Sequence, residues 1–190
     1  MVTFRGNLSI VSSVEPASEL LRVEQFINTR DLDPVADEVA SPAELAAWLE
    51  SQGQGTLAVD PDGHARALAL REALRGLALA NNGGTLYPVD LATLNRAAAE
   101  TGLRPRFVRG GARLEPEAGG LDAALGRLVA TVYQAMADGT WQRMKACRRH
   151  DCRWAFIDES PNGKRTWCSM QTCGNRAKAR RHRERAGDHS

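Results

Sequence analysis

The first 146 residues contain no cysteine; all four cysteines stand between Cys147 and Cys173. Nowhere does the chain hold the roughly 20 consecutive apolar residues that cross a bilayer, because even the Ala/Leu-rich stretch near residues 65–80 is cut by Arg66, Arg71 and Arg75. A helical membrane protein is therefore not expected. The N-terminal MVTFRGNLSIVSSVEP has no sustained apolar core followed by a small-residue cleavage site, so no secretory signal is read and the expected compartment is the cytoplasm. A P-loop, a glycine-rich dinucleotide fingerprint and a serine nucleophile elbow are also missing, which removes the common sequence marks of nucleotide hydrolysis, dinucleotide-dependent redox chemistry and serine hydrolysis. The expectation is a protein that is not an enzyme, with no catalytic residue assigned.

With 190 residues, the chain suits one main core and a small appendage rather than two full-sized domains. The net charge of +2 hides an asymmetry about Thr140. Residues 1–140 carry 12 Lys+Arg against 18 Asp+Glu, a net −6, while residues 141–190 carry 13 against 5, a net +8. A basic segment on an acidic body points to an anionic partner at the C-terminal part, with nucleic acid the leading candidate. The division expected is a helical domain over 1–140 and a small metal module over 141–190.

Apolar residues recur at three- and four-residue steps in five segments of the first part, so the fold expected is mainly α. Leu20, Val23 and Ile27 mark one helix; Leu45, Trp48 and Leu49 a second; Ala67, Leu70, Leu74 and Leu77 a third; Leu91, Leu94 and Ala98 a fourth; Leu121, Leu125, Leu128, Val132 and Ala135 a fifth. Ser41-Pro42-Ala43-Glu44 combines an N-cap serine, a proline at the first helical position and a glutamate that reaches back. Asp90 is expected to cap the fourth helix and Gly102 to end it. A small β-hairpin is expected about Gly110-Gly111, and Asn81-Asn82-Gly83-Gly84 reads as a turn.

The cysteines follow C-x4-C-x15-C-x4-C: Cys147, Cys152, Cys168 and Cys173. In a reducing compartment, two close pairs separated by a hairpin-sized insert suit one tetrahedral structural Zn2+. Four thiolates would leave no open position for water, so a catalytic metal is not expected. Disulfides, a thiol redox switch and an iron site are the alternatives, and His150 between the first pair would make a Cys3His variant. The symmetry of the two pairs favours Cys152 as ligand and His150 as a surface residue. Within the insert, Trp154 to Asp158 and Arg165 to Trp167 read as two strands about a Ser160-Pro161-Asn162-Gly163 turn.

Beyond Cys173, a basic helix is expected, with Asn175 able to cap it. Its cations Arg176, Lys178, Arg180, Arg181, Arg183 and Arg185 are the candidate nucleic-acid contacts. His182 and His189 suit phosphate contact or nothing. Elsewhere, Asn28, Thr29 and Arg30 read as a helix end, with a polar effector pocket shared with Arg71 and Arg75 as the functional alternative. His64 is expected in a surface loop, and Asp31, Asp33, Asp37 and Glu38 in a solvated acidic loop.

At Cys173-Gly174-Asn175-Arg176 the sequence resembles the CGNR zinc-finger family of bacterial proteins. The paired C-x4-C spacing, Trp154 to Asp158, Arg165 to Met170 and Lys178 fit the same pattern. Glu24 to Arg30 and Ala69 to Arg75 are similar to segments of the ABATE domain, the helical partner to which this finger is usually fused; Val23 to Thr29 departs from that family's Leu-Asp-Phe-Val-Asn-Thr-like motif. The resemblance implies a stress-related transcription regulator whose finger binds DNA. It leaves residues 1–140 to sense a small-molecule effector or to form a homodimer, and names no ligand. A second reading is a protein-interaction or RNA-binding module in which zinc only staples the C-terminus.

Overall fold

A computed structural model describes residues 16–109 and 111–187, with the side chains of residues 16–18, 181–182 and 184–187 outside that description. Five helices build the body, as the periodicity predicts: α1 (Pro16–Asn28), α2 (Pro42–Ser51), α3 (Pro61–Ala80), α4 (Pro88–Glu100) and α5 (Gly120–Ala137). The apolar stripes of α1, α2, α3 and α5 are buried, with Val23, Phe26, Ile27, Leu45, Leu74 and Val132 at 0% exposure. No helix among the described residues is long and apolar enough to cross a membrane.

Local chemistry sets the helix starts. The Ser41 hydroxyl accepts the Glu44 N–H at 3.3 Å, the N-cap read from the sequence, and donates to Glu44 Oε2 at 2.8 Å, so that the glutamate reaches back to the hydroxyl. Asp60 caps α3 in the same way through the Gly63 N–H at 2.6 Å. Asp90 does not cap α4: Pro88 is already helical and Tyr87 holds the N-cap position, so Asp90 falls in the first turn. There it lies against Gly76 of α3, where a Cβ would come within 2.3 Å of its carboxylate. Gly102, at φ +60, follows the C-cap Thr101 as expected.

Among the described residues, three antiparallel two-stranded ribbons complete the fold. β3 (Leu103–Val108) and β4 (Gly111–Pro116) form the expected hairpin, with Arg104 opposite Glu115. The acidic segment is not a solvated loop. It forms a second hairpin, β1 (Arg30–Leu32) and β2 (Val35–Asp37), with Asp33 and Pro34 at its tip. Its Asp37 carboxylate receives both terminal nitrogens of Arg71 at 2.7 and 2.8 Å.

The third ribbon corrects the expected strand pairing. β6 (Ala155–Ile157) pairs with β5 (Met144–Ala146), upstream of the first cysteine, with Lys145 opposite Phe156. Arg165 to Trp167 forms no strand. The reason is burial: Met144, Ala146 and Ala155 are at 0% exposure and belong to the same core as the helices. A partner strand drawn from the polar 158–167 segment could not have filled those positions.

Strands of three residues make few ladder bonds, and buried backbone groups need partners. Side chains of the helical body supply them. Asn28 clasps Ala155 from both sides, accepting its N–H at 2.8 Å and donating to its carbonyl at 3.0 Å. The Asn81 amide donates to Trp141 O and Met144 O at 2.8 and 2.9 Å. Asn82 donates to Ala146 O and Thr166 O, both at 2.8 Å.

Arg75 reaches Ile27 O, Arg30 O and Arg153 O at 2.6, 3.1 and 3.0 Å. Thr29 accepts from Arg71 at 3.1 Å. Asn28, Thr29, Arg71 and Arg75, weighed as a pocket lining, thus turn these donors and acceptors on one another and on the backbone, while the half-exposed Arg30 side chain stands 3.9 Å from Glu72. His64 is likewise not a loop residue: it lies half-buried in α3 and donates from Nε2 to Val39 O at 2.8 Å.

Replacing Asn82 by Ala strands the Ala146 carbonyl and leaves Thr166 O with the Arg148 N–H alone, and should lower stability by about 1–3 kcal/mol, read as a lower urea midpoint of the full chain. An unchanged midpoint would mean that these bonds do not hold the ribbon to the helices.

Candidate functional site

β5 delivers the chain to Cys147, and a tight knuckle returns it through Cys152 to β6. Arg153 takes a left-handed backbone, φ 53, in that return. The Cys147 N–H donates to Trp154 O at 2.9 Å, closing the knuckle. The second pair stands at the start of the last helix: Ser169 caps a π turn (Met170–Gly174) through the Thr172 N–H at 3.3 Å, and α6 (Asn175–Gly187) continues from it. Asn175 is therefore not the cap; it lies within the helix and donates back to Gln171 O at 3.0 Å.

Gly174 is closely packed by side chains. A Cβ there would come within 2.7 Å of Met170 Sδ and 3.3 Å of the Trp167 ring.

The four sulfurs converge. All lie within 4.8 Å of one another, with Cys152 to Cys168 at 3.6 Å and Cys168 to Cys173 at 3.5 Å. A disulfide needs about 2.05 Å, and all four cysteines are free. Corners of a tetrahedron with Zn–S bonds of about 2.3 Å stand about 3.8 Å apart, so the sulfur cage has the size of a four-thiolate zinc site. His150 is exposed and outside the cluster. Trp154 and Trp167 pack against the cysteines and shield them.

The donor chemistry fits a cation as well. Hydrogen bonds from Cys152 and Cys168, with backbone N–H groups of Cys168 and Arg149, pull the Cys147 thiol down to about 2. The same bond to Cys147 pushes Cys152 up to about 12, and Cys168 higher still. Four thiols packed this closely share their protons unequally; a divalent ion is what allows all four to be thiolates.

A second anchor holds the segment after β6. Asp158, at 1% exposure, receives Lys145 Nζ at 2.7 Å, the Ser160 hydroxyl and N–H at 2.5 and 3.0 Å, and the Arg165 N–H at 2.9 Å. Burial alone would raise its carboxyl pKa, but these donors reverse that and hold it well below the usual carboxylate range. Arg165 then lies over the Phe156 ring at 4.6 Å. This packing around Asp158 replaces the strand that the sequence suggested.

Between the knuckle and α6 runs an open groove. Arg148, Arg149 and His150 line one wall, Arg176, Arg180 and Arg183 the other, with Trp167 between. Of the cations predicted from sequence, Arg176, Arg180 and Arg183 thus meet at one surface. Lys178 is exposed but lies outside the groove lining. The side chains of Arg181, Arg185 and His182 fall outside the described residues, as does His189. The knuckle cations were missed by sequence reasoning, although they stand in plain view between Cys147 and Cys152.

Two outcomes test this geometry. The purified chain should contain one zinc, and a strong chelator should release it with four titratable thiols appearing; a zinc content near zero would overturn the site. Lys145→Met leaves Asp158 without its cation and should cost roughly 3 kcal/mol in urea unfolding of the zinc-loaded chain.

Comparison with known families adds two matches. Residues 143–186 match the CGNR zinc finger. Residues 22–139 match ABATE, described as "Putative stress-induced transcription regulator". No curated protein matches the chain. With sequence, cysteine geometry and both matches in agreement over most of its length, the chain belongs to the ABATE family and carries a CGNR zinc finger.

Proposed function

We propose that this chain is a DNA-binding transcription regulator, and that the groove between the knuckle and α6 is its nucleic-acid surface. The observation that carries the reading is the gathering of five arginines and His150 around one groove beside a rigid metal site. A phosphodiester backbone is the natural ligand of such a surface, since each neutralised phosphate releases condensed counterions. The zinc fixes where α6 begins and what it faces, so Arg176, Arg180 and Arg183 are presented from a defined start rather than from a frayed terminus. In this reading the chain binds and does not catalyse, because four thiolates close the metal to water. An effector or a second copy of the chain would act through the helical body, which grips the finger at Asn28, Arg75, Asn81 and Asn82.

The paired replacements Arg148→Ala and Arg180→Ala should lower the slope of log affinity against log salt by about two contacts' worth while leaving the zinc content unchanged. Competition among duplex DNA, structured RNA and single strands at fixed salt identifies the partner. A preferred duplex sequence supports the proposal. Preference for RNA, or equal retention of all three, assigns the surface to a different ligand.

A further inference from the structure

The helical body places a carboxylate against two of the arginines that line the groove. Asp33, at the tip of the β1–β2 hairpin, accepts from Arg149 Nη2 and, with the same Oδ2 atom, from Arg176 Nη1 at 2.9 Å. Its own N–H is tied to Asp31 Oδ1 at 2.9 Å, which fixes the tip. These two ion pairs bridge 116 and 143 residues of sequence and join the two family segments at the surface proposed to hold nucleic acid.

Arg149 is the unusual partner. Its side chain is only 9% exposed, yet Nε and Nη1 have no hydrogen-bond partner among the described residues. Nε does stand 2.7 Å from Asp151 Oδ1, an ion pair not aligned as a hydrogen bond. A buried guanidinium with unused donors is costly unless an anion completes it. Asp33 supplies one carboxylate oxygen; a phosphate offers several acceptors and fits an arginine fork bidentately.

Resting on the reading of the groove as a nucleic-acid surface, we infer that Asp33 occupies the position of a backbone phosphate between Arg149 and Arg176. The ABATE hairpin is then a built-in competitor, and the groove takes up a polyanion only as Asp33 leaves. Both finger arginines share this one carboxylate while the hairpin is docked, and both gain room for a phosphate when it lifts. A signal that moves β1–β2 would thereby change affinity without touching the zinc. The hairpin is coupled to the body through Asp37, held by Arg71, so the lever and its anchor sit at opposite ends of the same short ribbon.

The test uses the full zinc-loaded chain and three variants. Asp33→Asn keeps the size and removes the competing charge. Glu38→Gln removes one charge from an exposed residue just beyond the hairpin and controls for net charge. The double variant Asp33→Asn with Arg176→Ala removes the site that the carboxylate blocks. Two readouts are taken: salt-dependent binding of duplex DNA, and the salt needed to elute from heparin, a polyanion that reports on the groove whatever its natural partner.

Asp33→Asn should bind DNA about 3- to 10-fold more tightly, with a salt slope steeper by about one contact, and should elute from heparin later than Glu38→Gln. The double variant should lose most of that gain. Equal behaviour of Asp33→Asn and Glu38→Gln, or weaker binding by Asp33→Asn, would overturn the competitor role and make Asp33 a positioning group. Later heparin elution without binding of duplex DNA by any form would keep the competitor and discard the DNA reading.

Discussion

Four sulfurs have to stand about 3.8 Å apart around a single point, and almost every local decision in the last fifty residues serves that requirement. The knuckle takes a left-handed residue at Arg153 to turn from Cys152 back into β6. The second pair uses a wider helical turn, the π turn Met170–Gly174, with Cys173 inside it. A segment of this polarity has too little apolar surface to order itself, and metal binding contributes on the order of 10 kcal/mol toward doing so. Zinc is thus part of the fold's energetics as well as a marker of family.

The metal is not sufficient alone. Met144, Ala146 and Ala155 are buried among helical residues, and the backbone they carry is satisfied by asparagines and an arginine from α1 and α3. These contacts exclude water from a ribbon that is too short to protect itself. They also make the finger's orientation a property of the helical body: Asn28 ends α1, Asn81 and Asn82 end α3, and each grips a different carbonyl on the ribbon or beside it. A change in the relative placement of α1 and α3 would reach the knuckle directly through Arg75, whose guanidinium spans Ile27, Arg30 and Arg153.

The parts of this arrangement legible in the sequence are those with a local cause. Five amphipathic stripes, the Ser41 to Glu44 cap, the Gly110-Gly111 hairpin and the cysteine spacing each state their physics within a few residues. The strand partner of β6 was not legible, because Met144-Lys145-Ala146 carries no strand signal and is selected by a core assembled from distant helices. The same holds for Asn81 and Asn82, which look like turn residues and serve as clamps across more than 60 residues. Asp33 and Asp37 looked like solvated charge for an equivalent reason: their arginines are far away in sequence. The groove was half legible, since α6 declared its cations while those of the knuckle were hidden among the ligands.

The strand that precedes the first cysteine has one more implication. A zinc finger whose ligands, hairpin and helix form a closed unit can be moved between proteins like an interchangeable part. This one cannot, because its opening strand is welded into a neighbour's interior and its outer carbonyls are held by that neighbour's asparagines. Grafted elsewhere as residues 141–187, it would arrive with Met144, Ala146 and Ala155 bare to water. The finger therefore folds as a continuation of the helices that complete it.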